Sequence, residues 1–191
     1  MNWIENILII AGISLALFAE MERQGSLVAR IDKKQLSVIC ILVSALQMAA
    51  LSAGWYLSVL LYKNEMAHDE IFVGLVIAAV IFFCLGMRLM IKAIKNEHIS
   101  ERREDHLNLK RFLRISAITG IYTLLAGIAF GLLGTNLLIM LITIACFTIL
   151  FLITGAYTGY HLGFEHKTKA YAGGAILLWI AGIDVILRYI T

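Results

Sequence analysis

The stretch CLGMRLMIKAI, from Cys84 to Ile94, has a second version in IAGIDVILRYI, from Ile180 to Ile190. The two versions share a glycine at their third position and a basic residue at their ninth. They contrast at the fifth position, where Arg88 stands against Asp184. Because the copies are separated by about half the chain, the pattern predicts an internal duplication.

The composition predicts a membrane protein. The chain has 191 residues, of which 61% are hydrophobic and 15% charged, with no proline and a mean hydropathy of +0.87. Its apolar residues come in runs of about 20, which cross a hydrocarbon layer of about 30 Å as a helix. The runs lack the alternation of a barrel strand, so we expect an all-α integral membrane protein. A net charge of +3 gives no indication of nucleic-acid binding.

Six transmembrane helices are predicted from the apolar runs. Their expected bounds are Trp3–Ala19, Leu36–Tyr62, Ile71–Ile94, Phe112–Leu133, Leu137–Leu162 and Ala170–Ile190.

The basic residues of the connecting segments predict the orientation. Thirteen lysines and arginines fall in or beside the first, third and fifth connections, against Lys63 and Arg188 on the other side. Under the positive-inside rule, both termini lie outside a multi-pass protein of the plasma membrane.

The duplication then predicts an inverted repeat. Residues 1–94 form a first three-helix repeat, residues 95–111 a cytoplasmic loop, and residues 112–191 a second three-helix repeat. Because three spans per half is an odd number, the second half must run through the bilayer upside down. This architecture recurs in secondary transporters, whose binding sites lie between the repeats. Inversion also separates Arg88 from Asp184 along the membrane normal, so we expect no direct salt bridge between them.

Small residues at four-residue spacing predict close helix packing. They include Gly127 and Gly131 in the fourth span, and Gly155, Gly159 and Gly163 in the fifth. Lipid offers little hydrophobic drive between helices, so close backbone approach must hold such faces together. We expect them to face neighbouring helices or a second copy in a homo-oligomer.

Few polar groups within the spans are candidates for a transport path. Ser14, Gln47 and Thr119 supply neutral oxygens near mid-depth, and Glu20 stands at the inner end of the first span. Tyr122 in the fourth span and Asp184 in the sixth complete the set of candidates. Hydrogen bonding between helices is an alternative role for the neutral groups, and interfacial anchoring is one for Asp184. The chain lacks the sequence motifs of a hydrolase, a zinc protease or a phosphate-binding loop, so we expect neither an enzyme nor a bound cofactor.

Several stretches resemble the MntP-type manganese efflux pump family of the lysine-exporter superfamily, over nearly the whole chain. GISLALFAE, from Gly12 to Glu20, is similar to its Gly-x-Ser-x-Asp-Ala-Phe-Ala signature, and ITGIYTLLAG, from Ile118 to Gly127, to its second-half counterpart. Gly54-Trp55 falls where the family has Gly-Trp, and Cys84 to Ile94 resembles its Gly-Gly-Arg/Lys-Met stretch. The glycines of the last two spans also fit.

The resemblance implies efflux of manganese or another divalent cation, with manganese as substrate. The chain departs from the family where it has Ala16 and Tyr122 in place of intramembrane aspartates, and Gln47 in place of a glutamate. Glu20, one helical turn after Ala16, is expected to substitute for one of these carboxylates. Two alternatives follow from the departures: a transport-inactive membrane scaffold or partner protein, and an exporter of a small organic solute.

Overall fold

The protein folds into six α-helices. The computed structural model describes residues 3–28, 32–62, 70–95, 109–163 and 165–190. The helices are α1 (Trp3–Gly25), α2 (Lys33–Tyr62), α3 (Glu70–Ile94), α4 (Leu109–Leu132), α5 (Leu137–Leu162) and α6 (Lys167–Ile190). Most of the connection predicted as a cytoplasmic loop, residues 96–108, lies outside the described residues.

Each of the six predicted spans is a helix, and three of them begin at the predicted residue or one residue before it, while the other three begin three residues earlier. The largest difference is at the end of α1, which continues six residues beyond Ala19 to Gly25. With no proline in the chain, the helix extends through the polar residues that follow the apolar run. This extension places Glu20, Glu22 and Arg23 on α1.

Five helices of the described part, α2 to α6, are long and apolar enough to cross a membrane. They also carry the large apolar side chains that the fold leaves exposed, such as Ile41, Leu138 and Ile142. Such broad exposure of aliphatic side chains suits a surface that faces lipid. The chain is therefore a multi-pass membrane protein.

Helix α1 lies outside that set of five and occupies a different environment. It contacts α5, α6 and α4, and its described residues contribute none of the exposed large apolar side chains. Its buried groups include Ser14 and Glu22. Because other helices surround α1, it carries polar side chains that a lipid-facing helix would exclude.

The helices of the two halves interdigitate. Among the described residues, the most extensive contacts join α2 to α4, α3 to α6, and α1 to α5. Each of these pairs takes one helix from the first half and one from the second.

Glycines bring the backbones of α2 and α4 into contact. A Cβ atom on Gly54 would lie 2.1 Å from the carbonyl oxygen of Leu124, and one on Gly127 would lie 2.4 Å from that of Leu51. Both distances are below van der Waals contact, so only glycine fits at either position. The predicted packing role of Gly127 is confirmed, and its partner is another helix of the same chain.

The α1–α5 contact is built in the same way. A Cβ on Gly155 would lie 2.8 Å from the carbonyl oxygen of Phe18, and one on Gly159 would lie 2.1 Å from that of Glu22. Gly163, the third glycine of this row, instead ends α5 with a positive φ of 74°, in open space.

A short turn connects α4 to α5. Gly134 adopts a φ of 63°, a conformation that favours glycine. Asn136 caps α5, since its side-chain oxygen accepts a hydrogen bond of 3.0 Å from the amide of Leu138. The indole of Trp55 on α2 donates to the carbonyl of Thr135, 3.3 Å away, and so fastens the turn to the first half.

We predict that Gly54→Ala lowers the melting temperature of the protein in detergent, because the new methyl group would force α2 and α4 apart. Overpacking of this kind costs about 1–3 kcal/mol. Gly120→Ala on α4 is the matched control, because its Cβ would meet only the Cβ of Ala50, at 3.9 Å. Equal melting temperatures for the two variants would contradict the close α2–α4 contact.

Candidate functional site

A cavity of about 420 Å³ lies between α1, α3, α4 and α6. It forms where the last turns of α1 and α3 meet the first turns of α4 and α6. Its lining includes Glu20 and Arg23 of α1, Arg88, Ile91, Lys92 and Lys95 of α3, Ile115, Ile118, Thr119 and Tyr122 of α4, and Lys167 and Tyr171 of α6. Among the described residues, five basic side chains thus share the cavity with a single carboxylate, so this part of the lining is electropositive.

The carboxylate of Glu20 is the centre of a polar cluster on one wall. Lys92 Nζ lies 3.2 Å from its Oε1, and Arg23 lies 2.9 Å from its Oε2. The hydroxyl of Tyr171 donates a hydrogen bond of 2.6 Å to Oε1. The side chain of Glu20 is only 14% exposed, and these donors compensate the cost of its burial. Glu20 therefore links α1 to α3 and α6.

Two basic residues of α3 and the lysine that directly follows the helix form a row along the cavity. Arg88, Lys92 and Lys95 are spaced by four and three positions, which places them on one face of a helix. The guanidinium of Arg88 lies 5.1 Å from the ring centre of Tyr122, and Lys92 Nζ lies 5.7 Å from it. These cation–π contacts hold both side chains over the α4 wall.

Tyr122 contributes a buried polar atom to the same wall. The residue is 2% exposed, and its hydroxyl has no hydrogen-bond partner within the described residues. A buried hydroxyl without a partner is costly, so a ligand oxygen that reached this atom would stabilise the site.

Gln47 lies behind the cavity wall, next to Thr119 of the lining. The side-chain amide of Gln47 donates a hydrogen bond of 3.0 Å to Thr119 Oγ1 and accepts one from Thr123 Oγ1. Both polar ends of the buried Gln47 amide are therefore engaged by α4. These bonds match the alternative role of helix-to-helix hydrogen bonding.

The structure brings some of the predicted site residues together and separates others. Glu20, Thr119 and Tyr122 line the cavity, and Gln47 contacts Thr119. Ser14 is fully buried, with no hydrogen-bond partner in the described part of the chain. Asp184, half-buried near the far end of α6, is outside the cavity lining.

Sequence reasoning missed the other contributors to the cavity. Lys92 and Lys167 belong to the thirteen charges that predict the orientation, Arg88 entered only as the counterpart of Asp184 in the duplication, and Tyr171 was not singled out. A usable signal was present in the row of Arg88, Lys92 and Lys95, whose spacing gives one positively charged helix face. Within the described residues, no three histidines, cysteines or carboxylates gather into a metal site.

A second carboxylate secures the end of α1. Glu22 is fully buried and accepts a hydrogen bond of 3.0 Å from the backbone amide of His166. The Nδ1 atom of His166 lies 3.6 Å from the same carboxylate. Glu22 therefore fixes the α5–α6 turn against α1, beside the cavity.

The fold and the cavity define a multi-pass helical membrane protein with a polar site at one end of its bundle. Residues 30–186 match the family model Mntp, described as "Putative manganese efflux pump". This match covers well over half of the chain, so the protein belongs to that family.

Relatives named as MntP pumps of the same description agree with this assignment. One from Desulfitobacterium hafniense is 26% identical over 190 residues, covering 100% of this chain and 97% of its own. One from Methanosarcina acetivorans is 31% identical over 108 residues, 56% of each chain. One from Mannheimia succiniciproducens is 26% identical over 113 residues, 58% of this chain and 60% of its own. The chain thus spans less than two thirds of the latter two, and no solved structure was found to match it.

We predict that Glu20→Gln destabilises the protein, because Lys92 and Arg23 lose the charge that compensates them. Hydrogen bonds to charged groups contribute about 1.5–3 kcal/mol each, so thermal unfolding in detergent should occur at a clearly lower temperature. Asp184→Asn removes a half-buried carboxylate outside the cluster and serves as the control.

A double-mutant cycle with Lys92→Gln separates the Glu20–Lys92 pair from the rest of the cluster. We expect the double variant to lose less stability than the sum of the two single variants. Additive losses would contradict a direct interaction.

Proposed function

We propose that the protein is a membrane transporter that exports manganese or a related divalent cation from the cytoplasm. The observation that carries the proposal is the family match over residues 30–186, together with a relative of the same description that aligns over the full length. The cavity between α1, α3, α4 and α6 then supplies an entry point for the substrate.

The proposed mechanism is alternating access between two inverted repeats. The helix contacts support it. When α1 is exchanged with α4, α2 with α5 and α3 with α6, the set of helix pairs that are in contact stays the same. The exchange turns the α2–α4 contact into α5–α1 and the α1–α6 contact into α4–α3. The α3–α6 and α2–α5 contacts are each exchanged with themselves.

Individual atoms follow the same exchange. Gly54 lies against the carbonyl of Leu124, and its counterpart Gly155 lies against that of Phe18. At the α3–α6 crossing, the indole of Trp179 donates to the carbonyl of Phe83, 3.4 Å away and 96 residues earlier in the chain. That separation equals the offset of the duplicated stretch, as expected if the contact joins equivalent positions of two repeats.

The proposed orientation places the cavity on the cytoplasmic side and both termini outside. Its support is the bias of basic residues toward the connections at that end of the bundle. Lys92, Lys95 and Lys167 belong to the same set of charges and line the cavity mouth.

Within this proposal, Glu20 is the carboxylate that would meet the cation. Divalent cations prefer oxygen ligands, and Thr119 and Tyr122 bring neutral oxygens to the same cavity. Because Lys92 and Arg23 already compensate Glu20, the cation must displace at least one of them. Ser14 and the Gln47 pair lie deeper and would continue the path, while Asp184 would act only at the outer end.

A transport-inactive membrane partner is the competing function. The observation that favours it is the loss of the family carboxylates at Ala16 and Tyr122, which leaves one acid in a basic cavity. Homo-oligomer formation, which the lipid-facing surface would permit, is compatible with either function.

Manganese export predicts that cells without the protein accumulate manganese and that the wild-type chain restores the normal level. Glu20→Ala should fail to restore it, while Asp184→Asn should succeed, with equal amounts of both variants in the membrane. Metal content is measured by elemental analysis of washed cells. Unchanged manganese in the deletion strain would remove the transport proposal and favour the partner protein.

The proposed orientation predicts opposite accessibility for two cysteines introduced on either side of α4 into a cysteine-free background. Lys95→Cys, at the end of α3, should react only with membrane-permeant reagents in intact cells. Asn136→Cys, in the exposed α4–α5 turn, should react with impermeant maleimides. Labelling of both positions from the same side would exclude the arrangement.

A further inference from the structure

The cavity carries positive charges that manganese export does not explain. Of its basic residues, Arg88 and Lys95 have no carboxylate partner among the described residues, since Glu20 is engaged by Lys92 and Arg23. A bare divalent cation gains nothing from these two charges. An anion would be attracted to them.

We infer that this cavity binds a phosphate group, held by Arg88, Lys95 and the hydroxyl of Tyr122. Arginine and lysine are the side chains that recognise phosphate, and charge-assisted hydrogen bonds to it are about twice as strong as neutral ones. The inference rests on the geometry of the cavity and holds whether or not manganese is exported.

Tyr122 provides the independent indication of a ligand. Its hydroxyl is buried within the cavity wall and has no protein partner in the described part of the chain. The ring faces of the same residue are approached by Arg88 and Lys92, at 5.1 and 5.7 Å. One oxyanion beside this ring would accept from the phenol and the guanidinium together, and would thereby satisfy the buried hydroxyl.

The size and position of the cavity agree with this ligand. A volume of about 420 Å³ falls within the range of small-molecule sites, about 300–1,000 Å³, and leaves room for an organic group attached to the phosphate. The cavity lies at the end of the bundle where α1 and α3 end, and the proposed orientation places this end beside the cytoplasmic lipid headgroups. The phosphate can therefore come from a soluble anion or from an anionic lipid headgroup.

Phosphate binding is tested on the purified full chain in nanodiscs, by calorimetric titration with inorganic phosphate. One set of discs contains phosphatidylcholine alone, and the other also contains phosphatidylglycerol. Binding of similar strength in both sets identifies a soluble anion. Binding that is suppressed by phosphatidylglycerol, or phosphatidylglycerol retained by the protein in native mass spectrometry without phosphate binding, identifies the lipid headgroup.

Two variants decide whether the cavity is responsible. Arg88→Gln should weaken the binding of either source by about tenfold or more, and Tyr122→Phe should weaken it by about three- to tenfold. Lys34→Gln is the matched control, because Lys34 is an exposed basic residue at the start of α2, outside the cavity. Melting temperatures equal to that of the wild type show that the variants remain folded.

The inference is overturned if neither inorganic phosphate nor phosphatidylglycerol binds. It is also overturned if binding is unchanged by Arg88→Gln and Tyr122→Phe, or is reduced equally by Lys34→Gln. Manganese export is measured separately in cells, so failure of one proposal leaves the other standing.

Discussion

The fold depends on direct backbone contact between helices at glycine. Apolar side chains gain nothing by leaving lipid for a helix interface, so association must come from short-range packing and hydrogen bonds. Gly54 and Gly127 give that contact between α2 and α4, and Gly155 and Gly159 give it between α1 and α5. Both contacts join one half of the chain to the other. The core is therefore created by the meeting of the halves rather than within either of them.

The number, type and approximate bounds of the helices were predictable from the sequence, because long apolar runs have a single solution in a bilayer. The end of α1 was not, since the apolar run stops at Ala19 while the helix continues through Glu20 and Glu22. Hydropathy indicates which residues can contact lipid. It does not indicate where a helix ends when other helices surround that end. The polar atoms of this extension are compensated by α3, α6 and the α5–α6 turn.

Only part of the candidate site could be predicted from the sequence. Glu20, Thr119 and Tyr122 were identified from residue type and resemblance, and all three line one cavity. The lysines of the basic row at the end of α3 were used only to predict the orientation in the membrane. A lysine near a helix end is expected both from the positive-inside rule and in a binding site, and the sequence does not distinguish the two. Only the convergence of α1, α3, α4 and α6 distinguishes the two roles. Asp184 stands apart, since α6 carries it away from the cavity.

The central position of α1 has a consequence for biogenesis. This helix is made before the other five, yet most of the groups that compensate its carboxylates come from α3, the α5–α6 turn and α6. Until those segments emerge from the ribosome, Glu20 has only Arg23 of its own helix as a partner, and Glu22 lacks the hydrogen bond from the His166 amide. Membrane integration of α1 is thus expected to be completed late, and truncation of the chain before α6 should leave the first helix exposed to quality-control proteolysis.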